Sequence, residues 1–272
     1  MPELPEVEFS ARRLKTWLLG RSLRDVTASD GTPLRDQSAE SFRAHLLGST
    51  CTDIRRVGKQ LLIDFSNDTT LLCHLGMTGK WRRVEVDSSP LRWCRVSLTL
   101  DDDYRLDYID PRRFGRLRTL RTEAVSHHPE IMKLGPDALI VAGRPTLFAQ
   151  KICRGSRAIK TILMDQRVLA GVGNIYAAEA LHLSCISPWA KGAELEKSRA
   201  ESLGSALCVV MNDSLDREDG EEIRYLQEAK SENPFYVYGR AGEPCSRCET
   251  PISRAVQQGR STFWCETCQV ET

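Results

Sequence analysis

Cys245-x2-Cys248-x16-Cys265-x2-Cys268 constrains this chain more than any other stretch of it. Each CxxC turn offers two thiolates, and two such turns complete a tetrahedral Zn²⁺ site with no open position. That makes the metal structural and forces the segment to fold around it. A redox dithiol is the competing reading of one CxxC, and two pairs at zinc-ribbon spacing argue against it. The residues between the pairs, 253–263, read as a hairpin turning at Gln258-Gly259-Arg260. The hairpin either holds Arg260 on a rigid tip or leaves it as an ordinary surface arginine. The remaining cysteines, Cys51, Cys73, Cys94, Cys153, Cys185 and Cys208, stand singly among apolar residues and read as free thiols acting as small hydrophobes.

A chain of 272 residues holds one large domain or two ordinary ones. Its 41% hydrophobic and 28% charged content fits a globular protein in water. No apolar run approaches the ~20 residues of a membrane span, and no signal-peptide pattern opens the chain. The expected compartment is therefore the cytoplasm, in association with the nucleoid, with no membrane partner. Net charge is only +1, so any face for nucleic acid has to arise by segregating charge across the surface.

Apolar spacing predicts a first helix over residues 7–19, with Val7, Leu14, Trp17 and Leu18 sharing a face and Gly20 as its stop. Residues 22–120 read mainly as strands, over 55–65, 69–75, 93–100 and 104–109, with turns at Ser66-Asn67-Asp68 and Asp101-Asp102-Asp103. Short strands joined this way predict a β-sandwich, with one helix inserted at 39–47. Near residue 130 the pattern changes. Leu134-Gly135-Pro136 and Gly143-Arg144-Pro145 punctuate a linker, and helical periodicity follows over 159–164, 174–183 and 193–211. The acidic stretch 213–222 reads as a solvated loop.

Several short motifs carry chemistry. In Met1-Pro2-Glu3, a Pro in second position lets the initiator Met be trimmed, which leaves a ring amine able to form a Schiff base, with Glu3 beside it for proton transfer. Many chains begin Met-Pro with no such purpose. Residues 170–176 put two glycines before Asn174, read as the cap of the next helix; such a junction turns amides toward an anion or simply connects two helices. Gly58-Lys59-Gln60 opens a strand and presents Lys59 at its end, as a functional or a plain exposed lysine. Two turns, His74-Leu75-Gly76-Met77-Thr78-Gly79 and Asp110-Pro111-Arg112-Arg113-Phe114-Gly115, carry large side chains. Met77 and Phe114 fit a core; exposed beside Arg112, they also fit a wedge that fills a DNA stack after a base is extruded.

Taken in order, these pieces resemble the formamidopyrimidine-DNA glycosylase family, which is related to endonuclease VIII. The resemblance runs from residues 2–8 through His74-Leu75-Gly76-Met77, Arg112-Arg113-Phe114-Gly115, Ile159-Lys160, Met164-Asp165-Gln166 and residues 171–176. It continues through Val237-Tyr238-Gly239-Arg240 to the four cysteines and Gly259-Arg260-Ser261-Thr262. It implies an α+β chain: a catalytic β-sandwich with flanking helices over 1–133, a linker over 134–145, a helix–two-turn–helix domain over 146–234 and a zinc finger over 235–272. It implies a monomer acting on double-stranded DNA that carries damaged bases or abasic sites.

By the same resemblance Pro2 is the nucleophile, Glu3 the proton donor to the sugar ring oxygen, and Glu6 a supporting acid. Lys59, Asn174 and Arg260 match positions that grip phosphates, Lys59 and Arg260 being counted with Pro2 and Glu3 in the catalytic set, and His74 and Lys160 stand beside them as DNA contacts. Met77, Arg112 and Phe114 match the wedge, and one structural Zn²⁺ sits on Cys245, Cys248, Cys265 and Cys268. Two departures bear on substrate. The stretch from Leu215 to Tyr225 replaces the family's glycine-rich, lesion-covering loop, and Ser156 stands where a lysine is common. The wedge residues point to oxidised purines. Oxidised pyrimidines or hydantoins, or silent binding to abasic DNA, are the alternatives.

Overall fold

The computed structural model describes residues 2–217 and 233–270, apart from Asp30, Thr32 and Arg35. They divide into two units, one within residues 2–132 and one formed by 133–217 with 233–270. Among the described residues no helix is long and apolar enough to cross a membrane.

The first unit opens with α1 (Leu4–Leu18), which starts three residues earlier than the apolar spacing predicts. A capping box formed by Glu3 and Glu6 sets that start. Leu4, Val7, Ala11, Leu14 and Leu18 then recur at helical spacing along its buried face. There follow β1 (Leu23–Ala28), α2 (Ala39–Leu46), β2 (Cys51–Val57), β3 (Gln60–Phe65) and β4 (Thr69–His74). The chain continues as β5 (Lys80–Glu85), β6 (Cys94–Leu100), β7 (Tyr104–Ile109), β8 (Arg116–Arg121) and a short α3 (Pro129–Met132).

The strands make two antiparallel four-stranded sheets, β1-β6-β7-β5 and β2-β3-β4-β8. The expected sandwich is present. Packing of α1 on β2 and β3 of one sheet and on β5 of the other closes one end of it. The strand expected over 55–65 is two strands, because Gly58-Lys59 forms a hairpin turn and Val57 pairs with Gln60 across it. The apolar run continues through that turn and conceals it. Leu62 and Leu72 pack with Val125, so β3 is buried on both faces and reads as an unbroken apolar segment.

The second unit holds α4 (Ala138–Ala142), α5 (Pro145–Ile152), α6 (Ile159–Met164), α7 (Asn174–Leu183), α8 (Lys197–Arg217) and the hairpin β9 (Ser253–Gln257) with β10 (Arg260–Trp264). The segment expected as linker contains α4, whose Asp137 side chain caps Leu139 N at 3.2 Å. Its core is helical, with α5 and α7 packed on α8 and the ring of Phe148 lying directly on Gly204. α8 begins and ends later than the expected 193–211. Its last turn takes in residues 213–217 of the supposed solvated loop, because Ser214 and Leu215 are buried there and Ser214 Oγ lies 2.6 Å from Tyr176 Oη. The remainder of that stretch, and most of the segment from Leu215 to Tyr225 that departs from the family, lies outside the described residues.

Candidate nucleic-acid interface

In the first unit, Pro2 and Glu3 are both buried at the start of α1. Glu6 Oε2 accepts from Glu3 N at 2.7 Å, so the supporting acid fixes the backbone of the residue next to Pro2. The Lys59 turn is tied to the same helix. Arg56 donates to Glu8 Oε2 at 2.8 Å and to the Gly58 carbonyl at 3.0 Å. Burial pushes the Glu8 carboxyl upward, but its Arg56 and Arg12 partners together hold it below its ordinary range.

His74 ends β4 opposite Gln60, next to Lys59. Burial, then the nearby Arg116 and Lys59 charges, lower its pKa to about 4. At neutral pH the ring is therefore uncharged. Its Nδ1 accepts from Gly76 N at 3.0 Å, which leaves Nε2–H as its one donor. The neutral ring is favoured in the fold, so this contribution to stability is complete above pH 6.5 and lost as pH falls toward 4. His74→Gln is expected to flatten the stability profile across that window in a urea-midpoint series. An unaltered slope would assign the acid sensitivity elsewhere.

The two turns expected to carry a wedge are fastened together. Asp110, fully buried, accepts from Thr78 Oγ1 at 2.7 Å, Arg112 N at 3.2 Å and Gly115 N at 2.7 Å. Gly76 has φ +68° and lies against the backbone of Phe114 and Gly115, where any side chain would collide. Arg112 lies 5.0 Å from the Phe114 ring centroid, and Phe114 is 46% exposed although it is a large apolar ring. Met77 is partly buried. An aromatic ring held out by a buried carboxylate is a presented group. Removing that carboxylate strands three donors, so Asp110→Ala should cost about 2–4 kcal/mol in urea unfolding.

In the second unit, the four cysteine sulfurs all lie within 4.8 Å of one another. Cys248–Cys265 and Cys248–Cys268 are 3.4 Å apart and Cys245–Cys268 4.0 Å, near the ~3.8 Å edge of a zinc–thiolate tetrahedron. The donor set fits one structural zinc. Glu179 of α7, 2% exposed, accepts from Tyr236 N at 2.6 Å and from Val237 N and Tyr238 N at 2.9 Å, which anchors the entry to this module. Burial raises its pKa while the three amides oppose the rise.

The hairpin tip is pinned from behind. Lys160 is 1% exposed; its Nζ donates to Thr262 Oγ1 at 2.7 Å and to Ser261 O at 3.2 Å. Asn174 Nδ2 donates to the same Ser261 carbonyl at 2.8 Å. Both residues thus converge beside Arg260, with the Lys160 ammonium buried behind the hairpin. The cap of α7 is Gly173, with Asn174 the first helical residue instead of the cap expected from sequence.

Arg157 and Arg167, absent from the sequence reading, line a cleft of about 280 Å³ with Arg260, Lys160 and Asp165. Asp165 binds Arg167 Nε at 3.2 Å and Arg157 at 2.9 Å, and these bonds, Arg167's foremost, lower its pKa to about 2. Gln166 stitches the glycine turn, accepting from Gly171 N at 2.9 Å and donating to Val172 O at 2.7 Å. The Met164-Asp165-Gln166 motif is therefore a scaffold for the turn and for two cations.

Family models match described as the formamidopyrimidine-DNA glycosylase N-terminal domain over residues 1–117, its H2TH domain over 134–225, and a zinc finger found in FPG and IleRS over 242–270. A formamidopyrimidine-DNA glycosylase of Chloroflexus aurantiacus is 35% identical, with 99% of this chain and 98% of that protein covered. One from Herpetosiphon aurantiacus is 37% identical, covering 99% and 100%. The chain belongs to the formamidopyrimidine-DNA glycosylase family. Among solved structures, Lactococcus lactis formamidopyrimidine-DNA glycosylase bound non-covalently to abasic-site DNA superposes with a TM-score of 0.85 at 30% identity, covering 99% of this chain and 100% of that one. MutM in complex with DNA containing carbocyclic 8-oxo-G gives 0.87 at 28% identity, with the same coverage.

Proposed function

We propose that this glycosylase-family chain is a bifunctional DNA glycosylase and abasic-site lyase of base-excision repair, acting as a monomer on oxidised purines in double-stranded DNA. The observation that carries the reading is the buried Pro2–Glu3 pair at the N-terminus of α1, held by Glu6, in a chain that matches its relatives from end to end. Burial and the positive end of a helix both disfavour an added cation, which favours the unprotonated Pro2 amine once Met1 is removed. Its lone pair attacks C1′ of the flipped nucleotide, the damaged base departs with the bonding electrons and takes up the proton released from the Pro2 nitrogen, and Glu3 protonates O4′ as the ring opens. The resulting iminium acidifies C2′–H. Loss of that proton expels the 3′ phosphate, and a second elimination expels the 5′ phosphate.

Lys59, His74, Asn174 and Arg260 are the phosphate contacts in this reading, and Met77, Arg112 and Phe114 fill the gap left by the extruded base. The proposed division of labour is a catalytic domain over 1–133, a linker at 134–145, a DNA-binding helical domain over 146–234 and a zinc finger over 235–272. Unstacking costs a few kcal/mol and less at a damaged pair, so bound phosphates sustain the deformation. Affinity should fall steeply with salt, and Lys59→Ala or Arg260→Ala should each lower the slope of log Kobs against log salt by about 1.

The Lactococcus enzyme has also been solved with DNA containing FAPY-dG and with DNA containing an oxidised pyrimidine. This supports formamidopyrimidines as the leading substrate and keeps an endonuclease VIII-like preference as the second reading. Duplexes each carrying one defined lesion separate the readings. Formamidopyrimidine and 8-oxoguanine strands should be cut on both sides of the lesion, faster than oxidised-pyrimidine strands. Tight binding to every damaged duplex with no strand cut would replace the enzyme with a binding protein.

A further inference from the structure

His182 lies on α7, 1% exposed, with Nε2 3.4 Å from Sγ of Cys245, which is itself 1% exposed. A zinc-bound thiolate sulfur carries no proton, so the hydrogen in this contact comes from the ring. The other ring nitrogen, Nδ1, is buried and has no hydrogen-bond partner among the described residues, so none of them competes there for the proton. The ring is stacked on Tyr236 at 6.0 Å between centroids with an interplanar angle of 25°. Arg247 holds the backbone around it, donating to His182 O at 3.2 Å and Leu183 O at 2.9 Å. Position, tilt and donor atom are thus all fixed toward one sulfur.

Four thiolates around one Zn²⁺ leave a net charge of −2, and burying that charge is costly unless N–H groups point at the sulfurs. We infer that His182 is a positioning residue of the zinc centre: it donates Nε2–H to the Cys245 thiolate and couples α7 to the metal module. The contact joins the turn-and-helix element bearing Asn174 to the cysteine cluster bearing the Arg260 hairpin, independently of any hydrogen bond at the tip. It does not depend on the catalytic reading above, because its readout is the metal and not the DNA.

The test uses the full-length, zinc-loaded protein titrated with a zinc chelator, and the same protein loaded with Co²⁺. His182→Phe keeps a ring to stack on Tyr236 and removes the donor, whereas His182→Gln places an amide N–H near the same point. Loss of such a partner to a metal ligand lowers metal affinity about 10- to 100-fold, the effect expected for His182→Phe, while His182→Gln should stay within about threefold of the parent. The thiolate-to-cobalt charge-transfer bands should move to lower energy in the Phe variant only. Equal zinc loss in the two variants with unmoved bands would assign His182 to packing and overturn the inference, as would unchanged affinity in the Phe variant. The parent protein supplies a check that needs no variant. Nitrogen-15 spectra of its histidines should show a protonated Nε2 on His182, and a bare, pyridine-type Nε2 there would also overturn it.

Discussion

Stripping zinc from this protein should unfold residues 245–268 and lower DNA affinity by orders of magnitude. Zinc binding supplies about 10–16 kcal/mol in modules of this kind, more than the few apolar groups here can replace. The cluster behind the cysteines comprises Ala178, Val237, Ile252 and Phe263, with Tyr238 packed against it. The hairpin's turn at Gln258 and Gly259, with φ of 48° and 74°, projects Arg260 only while that support stands. Lys160 and Asn174 would then lose the Ser261 carbonyl they share, and the buried Lys160 ammonium would be left without the Thr262 hydroxyl. Circular dichroism and a filter-binding titration on chelated protein check both parts. Unchanged DNA affinity after complete metal removal would exclude Arg260 and its hairpin from the interface.

The second large effect concerns residue 2. A form that keeps Met1 has an amide at Pro2 and no nucleophile, and it should lose strand cleavage at abasic DNA while still binding it. Nucleophilic catalysis requires the lone pair, whatever the rest of the pocket does. Pro2→Gly in a processed chain retains an amine but gives up the rigid ring, so its cleavage rate should fall by roughly 10- to 1,000-fold with a smaller change in Kd. A rate within twofold of the parent in either form would mean that another group attacks C1′.

Much of this was legible in the sequence because the signals are local. The CxxC pairs, the Asn174 helix and the turns at Ser66-Asn67-Asp68 and Asp101-Asp102-Asp103 each declare themselves within a few residues, and each lies where expected. What escaped depends on partners distant in sequence. Asp110 looks like the start of an Asp-Pro turn, yet it is the buried acceptor that joins two loops. Glu179 interrupts a buried helix face, a signal that could have marked it as an anchor for a distant backbone. Arg157 beside Ser156 reads as one more surface charge until Asp165 sets it facing a cleft with Arg167 and Arg260. Lys160 reads as a DNA contact, and its ammonium lies buried beneath the hairpin on Thr262 and Ser261, partners that no local signal predicts. The strand break at Gly58-Lys59 was hidden because β3 is apolar on both faces.

In the proposed reaction the amine of Pro2 becomes covalently joined to DNA. Protein verified by mass to begin at Pro2, incubated with an abasic-site duplex and reduced with borohydride, should yield a stable complex whose digest carries the sugar remnant on the N-terminal peptide. A remnant on an internal lysine, or no complex at all from correctly processed protein, would contradict it.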